Sequence, residues 1–447
     1  MRLLWALALA VSCGAALGAQ APGSSEPVVV DTEHPRLFLR PARLRLLKRE
    51  RDRASDRWQQ LETLLAGNIP MPEAGFAEAL SYRVSGQEEE GRRAIAWALG
   101  PTADLRQMAL VFDWCQDLMT DAEKSSLAAA MAKGMAALGS DESVPAMRSR
   151  ALAAVALYDY APDAQGELDR VARWWNGKIA PALVGGRDAI PRDDAYALFE
   201  LLYAIRDNAE LDLRESCPRY FRSLPIARLA SYYPAVFAAP ENDFRVAAEP
   251  RIAEPDMRLA ALSRAADLAM TDYDPSLDEN QMMQGWLMRD PFAMRGAFGA
   301  PYEFLWANPY QAGLNYYLAP LTYHNPGHGR LFVRSSWQDS AAWLGWFDGV
   351  AQKFDGGRVT VLDPHAAAVI DLGSAVVCFG PGQRKFRATL AEEEKAFVAA
   401  LEPLRIYQVE IDDEEMYEEA ADPGGILELD LPHGKEVGVR VREAPAR

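Results

Sequence analysis

Histidine and cysteine are scarce in this 447-residue chain, with five of the first and four of the second. No Cys or His spacing has the form of a zinc site. Cys13 falls in an apolar N-terminal segment, leaving Cys115, Cys217 and Cys378. Three cysteines cannot complete a disulfide framework, and the sequence does not choose a pair among them. Positive charge is also short. The formal net charge is -17, and a phosphate backbone needs clustered Lys and Arg, so a nucleic-acid partner is excluded as the expectation. Past the N-terminus, no apolar run approaches the roughly 18 residues of a membrane span. No exact internal repeat is visible.

What is present is apolar bulk. Hydrophobic residues make up 49% of the chain, enough for large cores and two or three domains on length alone. Arg2, the run LLWALALAV and the small residues up to Ala21 have the layout of a signal peptide,. The expectation is an exported protein, periplasmic or secreted. A lipoprotein anchor at Cys13 is the alternative. A polar linker over 22–33 follows.

Residues 34–317 read as helix after helix. Pro41 suits the first turn of a long amphipathic helix, with Leu44, Leu47, Ala54, Trp58, Leu61 and Leu65 on one face and arginines on the other,. Its basic face is expected to be solvated and balanced by acidic neighbours. Thr120-Asp121-Ala122-Glu123 is a capping box that opens another helix. Further helices fit 151–160, 168–179, 195–205, 223–237 and 254–270. Antiparallel helix pairs are the simplest way to bury these stripes, and periodicity alone does not separate a toroid from a solenoid. Aromatics then crowd an irregular stretch. Trp306, Tyr302 and Tyr323 are its candidate sugar-stacking residues, against the alternative that such rings only anchor a loop. Residues 318–328 (LAPLTYHNPGH) read as an interdomain linker.

Residues 329–447 read as strands, punctuated by Gly and Asp turns. Thr389-Leu390-Ala391-Glu392 predicts a helix over 393–401. The acidic run from Glu410 to Glu419 is expected to be a solvated loop, since the calcium-loop spacing is absent.

Two phrases in this order carry a resemblance. The first is His34-Pro35-Arg36-Leu37-Phe38-Leu39 before a Pro-started, Arg-rich helix. The second runs over 329–374: Gly-Arg-x-Phe-x-Arg-Ser-x-Trp, then Asp355-Gly356-Gly357, then Ile370-Asp371-x-Gly373. Together they resemble the heparinase II/III-like polysaccharide lyases. The resemblance implies an incomplete (α/α) toroid followed by an antiparallel β-sandwich, and β-elimination of uronic-acid glycans. That chemistry needs a neutralised sugar carboxylate, a base for the adjacent proton and an acid for the leaving oxygen, roles that tuned Tyr and His fill. In the family the helical domain supplies Asn or His and a Tyr, which fall here at Arg148-Ser149 and Tyr196. A bidentate Arg148 can still neutralise a carboxylate. The β-domain supplies His-x-His-x-x-Asp-x-Gly, which falls on Ala351, Lys353, Asp355 and Gly357. Both histidines are therefore replaced. Asp355 remains as the candidate for a divalent metal, with a turn role as its alternative, and no other cofactor is implied. His365 is the histidine nearest this segment and is the third catalytic candidate. His34 is expected to be structural.

The expected partner is a polysaccharide or oligosaccharide. Two other readings stand beside the lyase. One is a noncatalytic glycan-binding or scaffold protein on the same frame. The other is a toroid glycoside hydrolase using carboxylates among Asp193, Asp194 and Glu200.

Overall fold

A computed structural model describes residues 30, 33–187, 189–209, 211–251, 254–380 and 382–445. The expected signal segment 1–21, Cys13 and most of the expected linker lie outside the described residues. Helices dominate the chain up to Ala300–Trp306, with one two-stranded ribbon, Phe237–Ala238 and Asp243–Phe244, among them, and sheets fill the rest from Thr322 onward. Among the described residues no helix is long and apolar enough to cross a membrane.

The His34–Leu39 phrase docks on one buried carboxylate. Asp113 accepts from the backbone of Arg36 and Leu37, and its Oδ1 lies 2.6 Å from His34 Nδ1. The single long helix expected next is two, Pro41–Asp52 and Asp56–Ala66. Ala54 breaks it at φ 47°, and Ser55 caps the second helix through the Trp58 N–H,. The capping box at Thr120 and Glu123 forms as read and opens Asp121–Ala137. The helix expected over 223–237 is Pro218–Ser231, begun by its own proline,.

The β region is three stacked sheets. A five-stranded antiparallel meander runs in chain order through Thr322–Asn325, Arg330–Arg334, Trp343–Phe347, Val350–Asp355 and Arg358–Leu362. Residues 322–325, read as linker, are thus an edge strand. Alternation sorts the sheet's faces. Phe332, Trp343, Phe347 and Phe354 join the helical core. Leu331, Val333, Leu344, Trp346 and Ala351 turn the other way, onto Ala375, Val377 and Phe379 of a second sheet.

That second sheet is buried on both faces, so Ala375–Phe379 reads as an unbroken apolar run,. Its other face, Val376, Cys378, Ala396 and Val398, meets the outer sheet at Val409, Val437 and Val439. The helix expected over 393–401 is absent. Lys395–Val398 is a central strand, parallel to Ala375–Phe379, and burial of Ala396, Phe397 and Val398 overrides the capping-box signal,. The acidic run is no loop either. Ile406–Ile411 and Glu415–Ala420 pair as a hairpin. The expected order of a helical part followed by antiparallel-rich sheets is present, and the β region has three layers with one parallel pair.

Candidate functional site

Most of the residues singled out from the sequence gather at one place, and it is a core. Glu200, fully buried on Ala195–Ala209, accepts from Arg106 at 2.7–2.9 Å and pairs with Arg148. Burial alone would raise its pKa, but Arg106 and Arg148 outweigh burial and lower it,. Tyr196 packs edge-on against Tyr302 at 5.0 Å and accepts a hydrogen bond from Trp306 Nε1 at 2.9 Å. Tyr302 donates to Glu73, which also pairs with Arg106 at 2.8 Å. Burial, then the Glu200 charge, holds the Tyr196 hydroxyl protonated well above its ordinary range. Tyr302 and Trp306 are each 1% exposed, so they anchor the helical region and present no stacking face.

The β-domain candidates lie elsewhere. Asp355 is exposed at a Gly-Gly turn and pairs with Lys353 Nζ at 2.9 Å, which lowers its pKa. Lys353 thus places an ammonium where a second metal ligand would stand, and the residues present do not fit a divalent cation. Among the described residues no group of three or more His, Cys, Asp or Glu is arranged to hold one. Ala351 is buried between sheets. His365 is exposed in the turn after Arg358–Leu362, its N–H bound to Asp363.

The open space is next door. A cavity of about 540 Å³ lies between the helices and the five-stranded sheet. Helix Pro218–Ser231 contributes Tyr220 and Arg228, the sheet contributes Phe332, Phe354 and Val359, and the segment before Ala195–Ala209 contributes Arg192 and Asp193. Tyr196 reaches one wall. The turn before Arg330–Arg334 adds His328 and Arg330. Interdomain clefts of mixed apolar and polar lining are where small-molecule sites concentrate.

Four arginines line this space, Arg192, Arg228, Arg251 and Arg330, and their neutralisation is unequal. Arg228 pairs with the fully buried Asp267. Arg330 lies 3.2 Å from Asp348. Arg192 is half-buried over the Phe347 ring at 5.3 Å, and its buried Nη1 meets no hydrogen-bond partner among the described residues. Burial and then the repulsion of Arg330 lower its pKa, with Glu249 and Asp348 offsetting part of that. Glu249 faces the same cavity, and burial raises its carboxyl.

Tyr220 and His328 form an edge-to-face pair at 4.8 Å. His328 Nδ1 lies 3.2 Å from the Tyr323 hydroxyl. Tyr323 is therefore a support for His328 and no stacking platform. Behind the wall, Gln352 is fully buried. It accepts from the Tyr233 hydroxyl at 2.8 Å and donates to the Glu249 carbonyl at 2.6 Å, fixing the segment that carries both.

Sequence reasoning missed His328, Tyr220, Arg192, Arg330 and Glu249. The available signal was adjacency: His328 directly precedes the Gly329-Arg330 opening of the β phrase, and Arg192 sits four residues before Tyr196.

No family model matches the chain, and no curated protein does. Ten solved chains match it. One, described as a glycoside hydrolase, is 10% identical and covers 83% of this chain and 71% of its own, at a TM-score of 0.29. An overlap of that size carries no residue-by-residue correspondence.

Proposed function

We propose that the interdomain cavity takes a glycan bearing a uronic-acid carboxylate and cleaves it by β-elimination. Arg192 carries this reading. A guanidinium in a cavity wall with a buried nitrogen lacking a partner offers a charge-assisted contact to a planar carboxylate,. Neutralising the carboxylate acidifies the proton on the adjacent carbon. His328 and Tyr220 would divide the remaining work: one takes that proton, and the other protonates the leaving oxygen as the C–O bond breaks. The product is an unsaturated sugar end. Arrangement of the helices as an incomplete (α/α) toroid, and export directed by residues 1–21, belong to the same proposal.

A second reading rests on Glu249. Its raised carboxyl shares the cavity with Asp193, and a pair of carboxyl groups is the equipment of a glycoside hydrolase. Incubation with a panel of uronic-acid polysaccharides separates the cases. Absorbance from new unsaturated ends supports elimination, and new reducing ends without it support hydrolysis. Binding without product leaves a glycan-binding protein.

A further inference from the structure

The turn that brings His328 and Arg330 to the cavity is held from behind by a second histidine. His324, 5% exposed at its side chain, lies on edge strand Thr322–Asn325. Its Nδ1 is 3.1 Å from Glu428 Oε2, and its Nε2 is 3.2 Å from Asp422 Oδ2. A neutral imidazole has one N–H and one lone pair, so only the imidazolium satisfies a carboxylate at each nitrogen.

Both carboxylates are anchored. Asp422 accepts from the N–H groups of Gly424 and Ile426, each at 2.8 Å. Glu428 also pairs with Lys395 Nζ at 2.7 Å. From the remaining neighbouring strand the Phe397 ring meets the imidazole at 5.2 Å. His324 lines a groove of about 720 Å³ with Glu394, Glu419 and His433, through which water and protons reach it.

The next residues lead straight to the cavity. Tyr323 supports His328. Asn325 donates to Ser223 of the helix that carries Tyr220, at 3.1 Å, and accepts from the Gly327 and His328 N–H groups. Gly329, at φ +59°, sits against Gly424 so closely that a Cβ on it would stand 2.5 Å from the Gly424 backbone.

We propose that His324 is a proton-operated clamp on the cavity: protonated, it ties the His328–Arg330 turn to the second sheet, and on losing its proton it lets that turn slacken. The glycan part of this regulation rests on the function proposed above; the clamp itself does not. Burial alone would lower the imidazole's pKa, but the hydrogen bonds to Asp422 and Glu428 outweigh it and raise it. His324 holds Glu428 down at about 2. With the folded histidine raised above the ordinary imidazole value of about 6.5,, the clamp is complete below that pH and is lost as pH rises through the folded value.

The test uses the full chain with 13Cε1-labelled histidine. Its five signals are assigned by substitution and followed from pH 5 to 9. The expected result is a His324 midpoint above ~6.5, with a second inflection at that same midpoint in the His328 signal. His324→Gln removes the second inflection. Glu428→Gln, at a side chain 41% exposed, lowers the His324 midpoint and serves if His324→Gln does not fold. A His324 midpoint at or below ~6.5, a His328 signal blind to it, or a midpoint unmoved by Glu428→Gln overturns the clamp. Affinity for a galacturonate oligomer is measured in parallel. Binding that weakens severalfold above the His324 midpoint in the unsubstituted chain alone supports the regulation, and pH-independent binding contradicts it. Failure to bind at any pH sinks the glycan reading, while the histidine signals still decide the clamp.

Discussion

Arg192 and Arg106 approach the same helix end with opposite accounts. Arg106 is buried and shared between Glu200 and Glu73. Replacing it by Met leaves Glu200 with Arg148 alone, and loss of a buried pair costs about 3–5 kcal/mol. Chemical denaturation should show that loss. Arg192→Gln removes a cation without an ion-pair partner among the described residues, so its stability should stay within about 0.5 kcal/mol while carboxylate-glycan affinity collapses. Calorimetry on both variants checks the contrast. Gln352→Ala strands the Tyr233 hydroxyl and the Glu249 carbonyl, at about 1–3 kcal/mol, and should loosen the cavity wall. The sequence singled out Arg148 and Tyr196 as catalytic candidates and Tyr302 and Trp306 as stacking candidates, and the structure packs these four together with Glu200. The sequence could not say that Glu200, Tyr302 and Trp306 are buried in a core, because Tyr196 carries the same apolar periodicity whether its helix faces a cleft or a core. His328 was passed over because a Pro-Gly phrase reads as linker, and only the pairing of Thr322–Asn325 with Arg330–Arg334 makes that phrase a hairpin turn that carries His328 to the cavity.

Elements were legible where local signals agreed with burial. The Thr120–Glu123 box and Pro218 act as their chemistry demands. Thr389–Glu392 misled because the same letters end a strand. Residues 395–398 are claimed by two neighbouring strands whose contacts lie far off in sequence, and no local propensity records that. Phe397 is fully buried there, so Phe397→Ala should cost about 3–5 kcal/mol in urea unfolding. Ser55→Ala removes the cap that divides the first helices and should cost about 1 kcal/mol. A change near zero would mean that the break at Ala54 does not depend on its cap.

At the scale of the molecule, helices, five-stranded sheet, buried mixed sheet and outer sheet stack in series, and the cavity lies at the first boundary. Alternating strand patterns announced β structure, but they do not count layers. The fully apolar Ala375–Phe379 run was the clue to a doubly covered sheet,. The excess of acid over base did not forbid arginines in the cavity wall, where Arg192, Arg228, Arg251 and Arg330 stand among Asp193, Glu249, Glu254 and Asp256, since fields are set locally,. In the proposed function, Arg192 makes this cavity a carboxylate site where elimination occurs. The most direct test of that proposal is ultraviolet absorbance of unsaturated ends from uronic-acid polysaccharides, comparing the unsubstituted chain with Arg192→Gln and His328→Ala. The proposal requires product from the first and a loss of at least a hundredfold in both variants, on the order of what a positioned acid or base supplies. Undiminished product from Arg192→Gln would contradict it.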